Sequence, residues 1–265
     1  MKYEEQLRQE QVEAYLAKLE LTGHIPKNLE GLNTLLFAQL IHIPFDSLDV
    51  WGAGICPSLV LDDIYEKTVE RGRGGYCFEL NTLFRALLNA LGFEAYQAAA
   101  VVTKSDDVFM PPTHNVILCP LEGKIYFLDV GFGGPVPYRA LELTEGQQGE
   151  FSLKYEGENI YTLHRLVEGQ WRCQFRFRNV PVTVSELIPL NFYVSQKPDS
   201  HFRHLIHLNR RNPDGSIYAL DGKEFKIFTP EGTIVRQLQT IDEVKEILRS
   251  YYSIDPAAVP LRDSL

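Results

Sequence analysis

The sequence predicts an α+β protein, with a helical N-terminal domain, a β-barrel second domain and a mixed α/β final part. Three observations carry this reading. Up to Gly92 the apolar residues recur at three- and four-residue steps, the period of a helix with one buried stripe. From about 94 to 178 they fall instead into six short runs rich in β-formers with no helix between them, which suits an antiparallel sheet curled into a barrel. Beyond 183 two capping boxes alternate with a glycine turn, so helix and hairpin follow each other. The predicted regions are 1–92, 93–182, a connecting helix at 183–196, and 197–265.

Residues 3–20 carry Val12, Tyr15, Leu16 and Leu19 at helical spacing, and 29–40 repeat it with Leu29, Leu32, Leu36 and Leu40 after the Gly23/Pro26 break. Pro44 disfavours helix before it, and a short helix is predicted over 62–70. After Cys77 the residues Leu80, Leu83, Phe84, Leu87, Leu88 and Leu91 form a periodic run that stops at Gly92. Predicted strands are 94–103, 114–119, 124–129, 151–156, 159–166 and 170–178. In the last of these Trp171, Cys173, Phe175 and Phe177 alternate with Arg172, Gln174, Arg176 and Arg178, predicting one buried and one wet, basic face. Thr183-Val184-Ser185-Glu186 and Thr240-Ile241-Asp242-Glu243 are capping boxes, and a hairpin is predicted across Asp221-Gly222.

A chain of 265 residues is large enough for two or three subdomains, and 45% hydrophobic residues is ordinary for a soluble globular protein. A net charge of −9 argues against a nucleic-acid partner. No apolar run is long enough to span a bilayer, and Met1-Lys2-Tyr3-Glu4-Glu5 does not begin a signal peptide, so a cytoplasmic location away from membranes is expected. Cys56, Cys77, Cys119 and Cys173 are too few for a disulfide scaffold and lack metal-knuckle spacing, so they read as thiols.

Cys77 follows Arg71-Gly72-Arg73-Gly74-Gly75-Tyr76 and opens a helix. There the unpaired N–H groups and the positive end of the helix dipole favour thiolate, so a lowered pKa is expected, with Arg71 and Arg73 pushing the same way. A buried structural thiol is the competing reading. Gly74-Gly75 favours the reactive one, because a glycine pair at a helix mouth suits a tight turn or a close-approaching substrate.

The decision rests on a base. Of seven histidines, His24 and His42 lie near helix breaks, His164 lies in a strand, and His201, His204 and His207 crowd one segment. His204 and His207 share a helical spacing, but with no third ligand beside them in the sequence no metal site is expected. His114 opens the strand ending near Cys119 and is answered by Asp129 at the end of Lys124–Leu128. If Glu122-Gly123 is a two-residue turn, Val116 pairs with Asp129 and the two side chains are diagonal neighbours on one face. A three-residue turn without a bulge would place them on opposite faces.

The motifs Arg73-Gly74-Gly75-Tyr76-Cys77-Phe78-Glu79, Thr113-His114-Asn115 and Asp129-Val130-Gly131-Phe132-Gly133-Gly134 together resemble the arylamine N-acetyltransferases. Ile43-Pro44-Phe45-Asp46, Asn191-Phe192-Tyr193-Val194-Ser195 and Pro198-Asp199-Ser200-His201-Phe202 extend the resemblance to residues 40–205. It implies a C-terminal α/β lid and a papain-like Cys-His-Asp triad of Cys77, His114 and Asp129. It also implies acetyl-coenzyme A as cosubstrate, an aromatic amine or hydrazine as acceptor, Phe132 and Phe202 lining the acceptor pocket, and Thr113, Gly131 and Gly133 near the coenzyme. An Asp46–Arg73 pair is expected to tie the cysteine loop to the first domain. The chain departs from the family pattern at Asp46-Ser47, Gln39 and Leu80, none of which touches the triad. An amide synthase of the same fold, a cysteine protease or transglutaminase, and a catalytically silent binding module are the alternatives.

Overall fold

The computed structural model describes residues 6–103 and 111–265; the predicted start of the first helix, at residue 3, lies outside them. Helix α1 spans Gln9–Lys18 and α2 spans Leu29–His42, with Asn28 accepting the Gly31 N–H at 3.0 Å as its N-cap. The chain then forms a short strand, β1 (Phe45–Asp46), and a helix that the sequence reading missed, α3 (Leu48–Ala53). Helix α4 (Leu61–Tyr65) widens into a π-helical turn over Glu66–Glu70. Helix α5 (Cys77–Ala90) is buried on nearly every side, and Gly92 ends its exit turn at φ 88°.

Eight antiparallel strands follow: β2 (Tyr96–Val102), β3 (His114–Leu121), β4 (Lys124–Leu128), β5 (Leu141–Glu142), β6 (Gly146–Gln148), β7 (Phe151–Gly157), β8 (Ile160–Val167) and β9 (Gln170–Arg178). Their order, β5-β4-β3-β2-β9-β8-β7-β6, curls the sheet until its two edges meet. Gln148 links those edges, its amide donating to the Glu142 carbonyl and accepting from the Glu142 N–H, both at 2.8 Å. The short strands β5 and β6 were not predicted, since neither is long enough to show alternation. The predicted alternation in β9 holds for Phe175 and Phe177, which are buried, but Trp171 is 41% exposed. A bulge between Leu163 and His164 breaks the register there, and the outer half of the strand projects beyond the barrel core.

Helix α6 (Val184–Gln196) begins at the predicted capping box, with Thr183 and Glu186 bonded to each other's backbone N–H. A single turn, α7 (His201–His204), leads into β10 (His207–Arg211), β11 (Ile217–Asp221), β12 (Glu224–Thr229) and β13 (Gly232–Gln237), and α8 (Ile241–Tyr252) covers their sheet. Asp221 pairs with Glu224, so the hairpin turns at Gly222-Lys223, one residue later than predicted. The sheet order is β1-β10-β11-β12-β13. Strand β1, from the first ninety residues, thus forms an edge of the C-terminal sheet.

Candidate active site

Cys77 is the first residue of α5 and is 3% exposed. A chain of buried and half-buried charges holds its loop. Glu79 accepts the Tyr76 N–H at 3.1 Å and the Lys67 ammonium at 2.8 Å. Lys67 reaches Asp49 at 2.6 Å, Asp49 reaches Arg73 at 2.9 Å, and Arg73 reaches Asp46 at 3.0 Å, which forms the expected pair. Burial works against the charged forms of Lys67 and Arg73, but the facing carboxylates outweigh it and raise both pKa values. Glu79 is raised by its burial.

The fold itself requires the first glycine of the pair. A Cβ on Gly74 would lie 2.3 Å from the Pro44 carbonyl, and the Gly75 carbonyl accepts the Asp46 N–H at 2.8 Å. What approaches closely is the protein's own β1 strand.

Glu122 and Gly123 have φ of 52° and 77°, the two positive values of a two-residue type I′ turn, and Leu121 pairs with Lys124. The register continues to Ile117 opposite Leu128, so His114 and Asp129 meet as diagonal neighbours. His114 Nε2 lies 2.6 Å from Asp129 Oδ2, both side chains being buried. The other carboxylate oxygen accepts from the Gly131 N–H at 2.9 Å, the Phe132 N–H at 3.1 Å and the Asn81 amide at 3.0 Å. The Cys77 sulfur lies 3.9 Å from the carbonyl of Thr113, the residue before His114.

The expected lowering of the Cys77 pKa does not hold. Burial pushes the thiol up, the Asp129 charge adds to that, and the N–H groups of Phe78 and Cys77 at the helix start offset only part. Neither arginine supplies the missing charge: Arg73 is committed to Asp46 and Asp49, and Arg71 pairs with Glu66 at the surface. Activation therefore needs a proton acceptor.

Phe132 packs edge-on to His114, ring centres 5.3 Å apart, and Phe202 packs edge-on to Tyr76 at 6.0 Å, so the two aromatics flank the site from different elements. A Cβ on Gly131 would fall 2.7 Å from Cys77 Cα, and one on Gly133 would fall 2.7 Å from the His207 ring. Both glycines are thus required by packing within the protein. His204 bonds through Nε2 to the Pro198 carbonyl at 2.7 Å, whereas His207 lies beside His201 and Asp221. The histidine pair spaced by three in sequence is not the pair that meets.

Sequence reading missed Asn81 and the Lys67–Glu79 pair. Asn81 donates to the Asn115 carbonyl at 2.7 Å and accepts the Val130 N–H at 3.0 Å, joining α5 to β3, which carries His114, and to the segment after β4, which carries Asp129. Its signal was an amide one turn after Cys77, beside the apolar stripe of Leu80, Leu83 and Phe84.

The model of the N-acetyltransferase family matches residues 28–258. The chain belongs to the arylamine N-acetyltransferase family. An arylamine N-acetyltransferase of Escherichia coli K12 is 32% identical over 220 residues, 80% of this chain and 76% of that one. The solved arylamine N-acetyltransferase of Salmonella typhimurium superposes with a TM-score of 0.86 at 29% identity, covering 94% of this chain and 92% of its own. The Mycobacterium marinum enzyme in complex with CoA gives 0.86 at 28% identity, covering 93% of each chain. Their likeness confirms the helical, barrel and α/β architecture. Among the described residues, no helix is long and apolar enough to cross a membrane.

Proposed function

We propose that this protein is an acetyl-coenzyme A:arylamine N-acetyltransferase that carries acetyl on Cys77 and works in ping-pong order. The observation that carries the reading is the buried His114–Asp129 pair beside a cysteine at the start of α5, in a chain of this family. Asp129 engages Nε2 of His114, so Nδ1 is the nitrogen left to take the thiol proton. That transfer turns two neutral groups into thiolate and imidazolium, whose opposite charges stabilise each other while Asp129 steadies the ring.

The thiolate attacks the carbonyl carbon of acetyl-coenzyme A. A bond forms between Cys77 sulfur and the acetyl carbon, the bond to the coenzyme sulfur breaks, and coenzyme A leaves with the proton held on His114. In the second half the acceptor nitrogen attacks the thioester and gives its proton to His114 Nδ1. The bond to Cys77 sulfur then breaks, and that sulfur regains the proton. Aromatic amines and hydrazines suit this route because their low basicity keeps the nitrogen lone pair free at neutral pH.

In this reading Phe132 and Phe202 wall the acceptor pocket, and Thr113, Gly131 and Gly133 lie near the coenzyme. Residues 1–92 supply the nucleophile, 93–182 the base and acid, and 197–265 the lid, in the cytoplasm. The coenzyme A named in the solved Mycobacterium marinum complex supports the cosubstrate. Incubation with acetyl-coenzyme A and an arylhydrazine tests the proposal: free thiol and N-acetyl hydrazide should appear in equal amounts. Absence of either product contradicts it.

A further inference from the structure

We propose that His201, His207 and Asp221 form a binding site for a divalent transition-metal ion of the zinc or cobalt kind. The antiparallel register of β10 and β11 sets His207 directly opposite Asp221, so both side chains leave the same face of the sheet. The turn α7 brings His201 over them, its Nε2 lying 3.6 Å from Asp221 Oδ1.

The hydrogen bonding of His207 sets which ring nitrogen faces the cluster. Its Nε2 lies 2.8 Å from the Gly133 carbonyl oxygen, and a carbonyl only accepts, so that nitrogen donates. Nδ1 is the ring atom turned to Asp221 Oδ1, at 3.3 Å, and is the atom that would bind an ion held between them.

The spacing fits a metal. A tetrahedral ion with bonds of about 2.0–2.2 Å holds its donor atoms roughly 3.3–3.6 Å apart. The two measured separations are 3.3 and 3.6 Å, and all three donor atoms lie within 4.8 Å of one another. Two imidazoles and one carboxylate are a borderline donor set, suited to zinc or cobalt rather than magnesium or calcium. The bond from His207 Nε2–H to Gly133 is the outer-sphere contact that fixes tautomer and ring orientation in metal-binding histidines.

An ion here would tie α7 and the β10–β11 hairpin, through His207, to the Gly131–Gly133 loop after Asp129. Phe202 would feel it, since its ring packs on both His201 and His207 and on Tyr76 beside the cysteine.

The test is titration of chelator-treated full-length protein with Co²⁺, followed by visible absorption, and with Zn²⁺, followed by calorimetry. One equivalent should bind, giving tetrahedral cobalt bands without the near-ultraviolet charge-transfer band of a cobalt thiolate. His201→Ala and Asp221→Asn, both changed at partly exposed positions, should keep the native circular dichroism and weaken binding at least about tenfold, since even the loss of an outer-sphere partner costs 10–100-fold. No stoichiometric binding would mean that a proton, not a metal, lies between His207 Nδ1 and Asp221, and would overturn the proposal. Binding with a thiolate band that survives both substitutions would assign the metal to the cysteines and overturn it equally.

Discussion

Replacing Asp46 by alanine removes one end of the charge chain that runs through Arg73, Asp49 and Lys67 to Glu79 and the loop before Cys77. The Asp46 and Arg73 side chains are 0% and 6% exposed, so this is a buried pair, and breaking such a pair costs roughly 3–5 kcal/mol because the remaining charge stays desolvated. Asp49 still faces Arg73 at 2.9 Å, which puts the loss near the lower end, about 3 kcal/mol. Asp46 also accepts the Leu48 N–H at 2.7 Å, and that donor loses its acceptor. For 265 residues, at about 2.1 cal/mol/K of unfolding entropy each, the loss corresponds to a fall in Tm of roughly 5–6 °C. Neutral pH is the right condition for the melt. Burial works to raise the Asp49 carboxyl, but Lys67 and Arg73 outweigh it and hold it below its ordinary 3.8. Its contribution is thus present above that value and lost as pH falls through the lowered folded pKa. The Lys67 ammonium is raised above 10.5, so its contribution is present below that value and lost only as pH rises past the folded pKa. Far-UV circular dichroism melts of parent, Asp46→Ala and Asp46→Asn measure the effect. A Tm for Asp46→Ala within about 2 °C of the parent, the size of a surface change, would refute the argument that this pair is buried and coupled.

Asp129→Asn should leave the fold intact yet slow acylation of Cys77 severely; the same change in a serine-protease triad costs roughly ten-thousandfold. Stopped-flow release of coenzyme A measures it, and a rate within a fewfold of the parent would remove Asp129 from the mechanism. His114→Asn should reveal the thiol's own tendency. Burial holds Cys77 above the ordinary 9.0, so a higher pKa leaves less thiolate at any given pH. The variant should resist iodoacetamide at neutral pH and react only in alkaline solution, while the parent is alkylated near neutrality. Equal neutral rates would show that His114 is not the acceptor of the proton.

The positions of Cys77, His114 and Asp129, the proposed nucleophile, base and acid, were legible because each rests on a local rule. Periodicity placed Cys77 at a helix start, and Glu122-Gly123 permits the tight turn that sets the register of His114 and Asp129. The charge chain was only partly legible, since Asp49, Lys67 and Glu79 come from three elements and meet through packing that no spacing encodes. Strand β10 was missed because His-Leu-Asn-Arg-Arg has one apolar residue in five. It forms because β1 and β11 take up its backbone groups on either side and Leu208 reaches the core. With β10 unseen, His207 could not be matched with Asp221. The pKa of Cys77 was misjudged for a related reason: the helix start is visible in sequence, whereas the depth of burial that outweighs it is a property of the assembled fold. The departures from the family pattern also find their reasons in packing. Gln39 accepts the buried Tyr15 hydroxyl at 2.7 Å, and Ser47 bonds to the His207 backbone through its hydroxyl.

The central claim is that Cys77 takes acetyl before any amine arrives. Mixing the protein with acetyl-coenzyme A alone, and following coenzyme A release together with intact mass, tests it most directly. Up to one equivalent should be released in a burst that then slows to thioester hydrolysis, with one acetyl group mapping to Cys77 and absent from Cys56, Cys119 and Cys173. An arylhydrazine should then strip that acetyl and restore the parent mass. Coenzyme A release that begins only when the acceptor is added, with no acetyl found on Cys77, would mean direct transfer in a ternary complex and would contradict the account.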